Sequence, residues 1–156
     1  MSKVRIERTL LFAASFLAAG VVALPAQAQT GLQFYAVTPC RVVDTRAGFG
    51  GIMTASTQRN FTIKGAGGCG VPASAKAVSL NVTIVGPTQD GFVSLWPTGG
   101  AFPVVSTVNC NAGEPALANG AIVPLAVATP DLATVYGTGS GTGTIHTILD
   151  VTGYFQ

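Results

Sequence analysis

Charge is scarce in this sequence. Of 156 residues, eight are Lys or Arg and six are Asp or Glu. Lys3, Arg5, Glu7 and Arg8 fall within the first 28. Beyond them, Arg41, Arg46, Arg59, Lys64 and Lys76 balance Asp44, Asp90, Glu114, Asp131 and Asp150, so the remaining 128 residues are formally neutral. A neutral chain has neither the basic face that nucleic acid demands nor the polybasic segment that docks on anionic lipid. Charged residues make up about 8% of this part, against roughly 25% in an average soluble domain. Something other than charge must wet its surface. Histidine is scarcer still, with His146 alone, and cysteine occurs three times. One His and one Cys spared from a disulfide cannot complete a closed zinc site. The carboxylates Asp90, Glu114, Asp131 and Asp150 are scattered, and calcium requires oxygens that converge. No metal and no cofactor are expected. Residues 65–70, "GAGGCG", lack the Lys-Ser/Thr ending of a phosphate loop.

One long apolar run is present, and it lies at the start. Lys3, Arg5 and Arg8 precede the uninterrupted stretch Thr9 to Leu24, and Ala26-Gln27-Ala28 follows. A basic front, an apolar middle and a small-x-small end read as a secretory signal over residues 1–28. The run is short for a retained membrane anchor, which is the competing reading. The expected location is outside the cytoplasm: secreted, at a bacterial cell surface, or in a periplasm. Residues 29–156 have no second run of this kind and are long enough for one domain with its own core.

That domain reads as all-β, an antiparallel β-sandwich. Seventeen threonines follow residue 28, many alternating with Val, Ile or Leu. Thr is β-branched and suits an exposed strand face. No stretch sustains a helical apolar period, whereas alternation and turn residues recur every eight to twelve positions or so. "LQFYAV" and "CRVVDT" read as two short strands, and residues 77–85, "AVSLNVTIV", as the clearest one. There Val78, Leu80, Val82 and Ile84 share one face, while Ser79, Asn81 and Thr83 share the other. Phe61 and Ile63 are expected inward, with Asn60, Thr62 and Lys64 outward. Asp90-Gly91 is a hairpin signal that would return "FVSLWP" beside the preceding strand. "VVSTVNC" and "GAIVPLAVA" read as further strands, the second demoted by Pro124 to an edge or a bulge.

The few ions cluster. Arg41, Asp44 and Arg46 fall within six residues, after Cys40 and before a glycine turn. As a catalytic acid or base, Asp44 would need a proton-transfer partner and a cleft, and nothing nearby pairs a nucleophile with a base. As a brace, Asp44 would accept bonds from a guanidinium fork and from turn amides. The brace is the stronger reading. His146 lies on a strand with no nucleophile elbow nearby, for Gly139-Ser140-Gly141 sits on a connector that no helix follows. The chain is therefore not expected to be an enzyme. A small hydrolase using Asp44 and His146 is the remote alternative. Trp96 and Tyr136 are the candidate rings for stacking on a sugar. In an oxidising compartment one disulfide is expected among Cys40, Cys69 and Cys110. Three pairings are open, and Cys40–Cys69 is favoured because both lie beside turn residues.

"PCRVVDTR", "GGCGVPASAKAVSLNVTIVGPTQDGFVSLWP", "VSTVNCNAG" and "IHTILDVTGYF" follow one another in that order. Together they resemble a secreted all-β domain common in exported bacterial proteins, especially of actinobacteria, for which no functional name is settled. The resemblance spans nearly all of residues 29–156. It implies a cell-surface or secreted module without established catalytic residues. It also implies a pairing of Cys40 with Cys69, the two recurrent cysteines. Cys110 stands where that family has an aromatic or aliphatic residue. The expected function is a non-catalytic structural or adhesion module, with a carbohydrate-binding module for cell-wall or extracellular polysaccharide as the alternative. The expected partners are a second copy, joined through edge strands or Cys110, or an extracellular glycan.

Overall fold

A computed structural model describes residues 31–156, so the signal segment expected at residues 1–28 lies outside the described residues. Nine strands follow in order: β1 (Phe34–Asp44), β2 (Met53–Thr54), β3 (Arg59–Phe61), β4 (Ala77–Val85), β5 (Gly91–Pro97), β6 (Val108–Cys110), β7 (Ala116–Pro124), β8 (Leu132–Thr138) and β9 (Thr144–Phe155). One short 3₁₀ turn, Ala66–Gly68, precedes Cys69. No helix among the described residues is long and apolar enough to cross a membrane.

The strands form two antiparallel sheets that pack face to face, as the alternation predicts. The larger sheet runs β1-β9-β4-β7, with β2 added to β9; the smaller runs β3-β8-β5-β6. β4 shows why the chain folds so. Val78, Leu80, Val82 and Ile84 are all fully buried, while Ser79, Asn81 and Thr83 on the other face are half-buried. A one-residue slip would exchange the two sets, so burial fixes the register. Each of these apolar side chains contributes roughly 1.5–3 kcal/mol by leaving water. Val93 and Leu95 of β5, Leu132 and Tyr136 of β8, and Ile145 and Leu149 of β9 complete the interior between the sheets.

Five local expectations are corrected. The two short strands expected at the start are one strand, β1, whose pairing with β9 shifts register between Ala36 and Cys40 and again between Arg41 and Val43. Pro39 sits inside the first shift, where a ladder hydrogen bond is already lost. β5 does not return beside β4. Both flanks of β4 are occupied by β7 and β9, and β5 crosses to the facing sheet, where it pairs with β6 and β8. The strand expected over "VVSTVNC" is reduced to Val108–Cys110. Lys64 is buried rather than outward, and its Nζ donates to the carbonyls of Ala126 and Val127. The strand expected over "GAIVPLAVA" lies four residues earlier, at Ala116–Pro124, so Pro124 is its last residue rather than an interior one, although the strand is an edge as the proline indicates.

Candidate functional site

The charged stretch spans the end of β1 and the turn that follows it. Arg41 lies directly opposite Asp150 of β9 in the β1–β9 register. Its Nε donates to Asp150 Oδ1 at 2.8 Å and its Nη2 to Oδ2 at 3.2 Å. A two-point fork of this kind matches guanidinium geometry to a carboxylate. Arg41 Nη1 also reaches Asp44 Oδ2 at 3.4 Å. Asp44 Oδ1 accepts from Arg46 Nε at 2.9 Å and from the Arg46 backbone N–H at 3.0 Å, while its Oδ2 accepts from Arg46 Nη2 at 2.8 Å. The four groups form a neutral chain of alternating sign: Asp150, Arg41, Asp44, Arg46. The Arg46 side chain is the main reason that Asp44 titrates low, at about 2, helped by the Arg46 amide and the Arg41 charge. Its bond to Asp150 raises the Arg41 pKa, and the bond to Asp44 does the same for Arg46.

An acid held this way has no free lone pair aimed at a cleft, so the brace describes its geometry. The hydrolase alternative needs His146 to meet Asp44. Instead, His146 Nδ1 lies 3.1 Å from Thr45 Oγ1, and that hydroxyl accepts the Thr147 N–H at 2.9 Å. The open depression beside the brace, about 460 Å³, is lined by Pro39, Cys40, Arg41, Asn81, Asp150 and Thr152. Its polar side chains are already bonded within the sheet: Arg41 to Asp150, Asn81 to Thr83 and Thr152 to Ser79.

Cys40 and Cys69 are joined, with their Cα atoms 5.4 Å apart. The bond ties β1 to the turn before β4, one residue from Arg41. Cys110 is free and buried, its Sγ pointing to the Gly91 carbonyl at 3.6 Å. Burial, and then the charge of Glu114, push this thiol's pKa up. It is therefore neither a reactive thiolate nor positioned for a bond between chains, and the expected association through Cys110 has no geometric support.

The rings expected to meet sugar are both covered, Trp96 on the outer face of the smaller sheet beneath the loop after β5 and Tyr136 between the sheets. Trp96 is 5% exposed, donates its Nε1–H to the Gly100 carbonyl and meets Phe102 edge-on at 5.4 Å. Tyr136 is fully buried, and its hydroxyl donates to the Gln89 carbonyl at 2.6 Å. Neither presents a free ring face for stacking.

Two groups escaped the sequence reading. Asp150 is the partner that makes Arg41 rigid. Its signal was a lone acid among apolar residues in "TILDV", which demands a cation on a neighbouring strand. Asp131 is completely buried and accepts the backbone N–H groups of Ile63 at 2.8 Å and Lys64 at 3.0 Å. Asp90 and Glu114 both serve one turn, accepting from the Ala112 and Asn111 amides. Among the described residues no three His, Cys, Asp or Glu side chains come together as a metal site would need. No protein-family model matches this chain, and no curated protein matches it.

Proposed function

We propose that this chain is an exported, non-catalytic structural or adhesion module of the bacterial cell exterior. The observation that carries this reading is the state of the brace: both oxygens of Asp44, and the whole Arg41–Asp150 pair, are consumed in holding β1 to its own turn and to β9. The disulfide beside it supports the exported location, because such bonds persist in oxidising compartments. The motif order shared with exported all-β domains supports the same class. A module of this kind acts by joining surfaces, and self-association through an edge strand would provide one means.

The test uses the chain purified after export. Its N-terminus should fall at residue 29, and protease added to intact cells should reach it. It should turn over no ester, peptide or glycoside substrate. Turnover that disappears in Asp44→Asn, with the melting temperature kept, would replace the structural reading with a catalytic one.

A further inference from the structure

Sheet edges carry unpaired N–H and C=O groups, and soluble proteins blunt them with short strands, bulges, proline or charge. This molecule blunts every described edge but one. β3 and β6, the ends of the smaller sheet, have three residues each, and β2 has two. β1, one end of the larger sheet, carries two register shifts, Pro39, Arg41 and the disulfide. β7, the other end, pairs with β4 over all nine residues without a shift. It reads "ALANGAIVP" and contains no charged side chain; its proline is the last residue. Ala116 to Gly120 are exposed, and Ile122 is 66% exposed.

The bond pattern says which groups are free. The Gly86 N–H donates to the Pro115 carbonyl, and the Leu125 N–H to the Lys76 carbonyl, at the two ends of the β4–β7 register. Hydrogen-bonded and non-bonded pairs alternate along an antiparallel ladder. Odd-numbered residues of β7 therefore bond to β4, and the N–H and C=O of Ala116, Ala118, Gly120 and Ile122 point away from the sheet.

We infer that β7 is a self-pairing edge, and that two copies of this chain join β7 to β7 in antiparallel fashion about a two-fold axis at Asn119. In this register Ala116 of one copy exchanges backbone bonds with Ile122 of the other, and Ala118 does so with Gly120. All four outward residues are used, and none is proline. The side chains match as well. Ile122 faces Ala116, Leu117 faces Ala121, and Ala118 faces Gly120, so each larger side chain meets a smaller one. A shift of one residue either way sets Ile122 opposite Glu114, or spends a pairing on Pro124, which has no N–H. The partner is a second copy because the pattern complements itself and no charge opposes it. The two-fold arrangement closes on itself, and the blunted β1 edges at its outer ends stop further growth. This inference deepens the reading of the chain as a module that associates, but it does not depend on the absence of catalysis.

Sedimentation of the purified exported chain from about 1 to 500 μM tests it. A concentration-dependent monomer–dimer equilibrium is expected. Ala118→Pro removes an N–H that the monomer does not use, so it should weaken dimerisation on the order of 100-fold through two lost bonds and ring crowding. Ile122→Lys, which replaces the apolar contact with Ala116 at both ends of the seam by a charged side chain of the kind that blunts sheet edges, should also weaken dimerisation while the fold is kept, and it serves if the proline variant does not fold. Asn119→Cys should crosslink to itself under mild oxidation faster than Ala121→Cys, because only residue 119 meets its own copy. A strict monomer at 500 μM, or a dimer indifferent to both Ala118→Pro and Ile122→Lys, overturns the inference. Neither result bears on turnover, which alone decides the catalytic question.

Discussion

Asp44 and Asp131 are both carboxylates that clasp a turn, and they do it by opposite means. Asp44 sits at the rim of the larger sheet and is held by two guanidinium groups whose side chains are about half exposed. Asp131 sits inside, fully buried, and is held by two backbone amides of residues 63 and 64. The rim clasp is a balance of charges that water and salt can reach. The inner clasp satisfies amides that have no other partner, and an unmade bond there costs its full desolvation. In a chain with so little charge, the strongest use of a carboxylate is the one without a cation.

Four changes to the chain or its solvent should separate the inner clasp from the rim clasp. Asp131→Ala should have the largest effect: two buried amides lose their acceptor, for roughly 4 kcal/mol in urea unfolding. A loss below that of Asp44→Ala would reverse the ranking. Opening the Cys40–Cys69 bond as a double serine variant should cost about 3.5 kcal/mol, the chain-entropy expectation for the loop it closes. That loss should be nearly independent of salt. Asp44→Ala should lower the melting temperature by less than either, and 1 M NaCl should shrink the difference from wild type, whereas salt should leave the Asp131→Ala deficit unchanged. The smallest effect is in acid. Asp44 titrates near 2 in the folded chain against 3.8 when unperturbed. Its contribution is therefore complete above about pH 4 and is lost as the pH falls from 4 towards 2. Asp44→Asn should flatten the stability profile in that window alone.

The alternation in residues 77–85 was enough to place β4 and its two faces, because burial of one face leaves a period of two in the sequence. Pro124 marked an edge for an equally local reason. The fate of β5 was not legible. Asp90-Gly91 is a sound turn signal, but the partner of the next strand depends on whether β4 still has a free side. It has none, since β9, more than fifty residues later, takes it. The Arg41–Asp44–Arg46 brace was readable because its parts are adjacent. Asp150 was not, because it meets Arg41 only through the β1–β9 register. Lys64 failed for a different reason: the strand alternation that sends it outward ends at Phe61, and beyond it the chain turns to let the amine cap two carbonyls. Trp96 and Tyr136 show the limit of reading aromatics at strand ends, where a ring can as readily fold under a neighbouring loop as face solvent.

Cys110 gives the folded chain a built-in clock. Its sulfur is enclosed beside Gly91, where β5 and β6 pair. An alkylating reagent can reach it only during moments when that short strand peels away. Once the disulfide accounts for the other two cysteines, the labelling rate of this single site reports how often the β6 margin of the smaller sheet opens, without a probe having to be introduced.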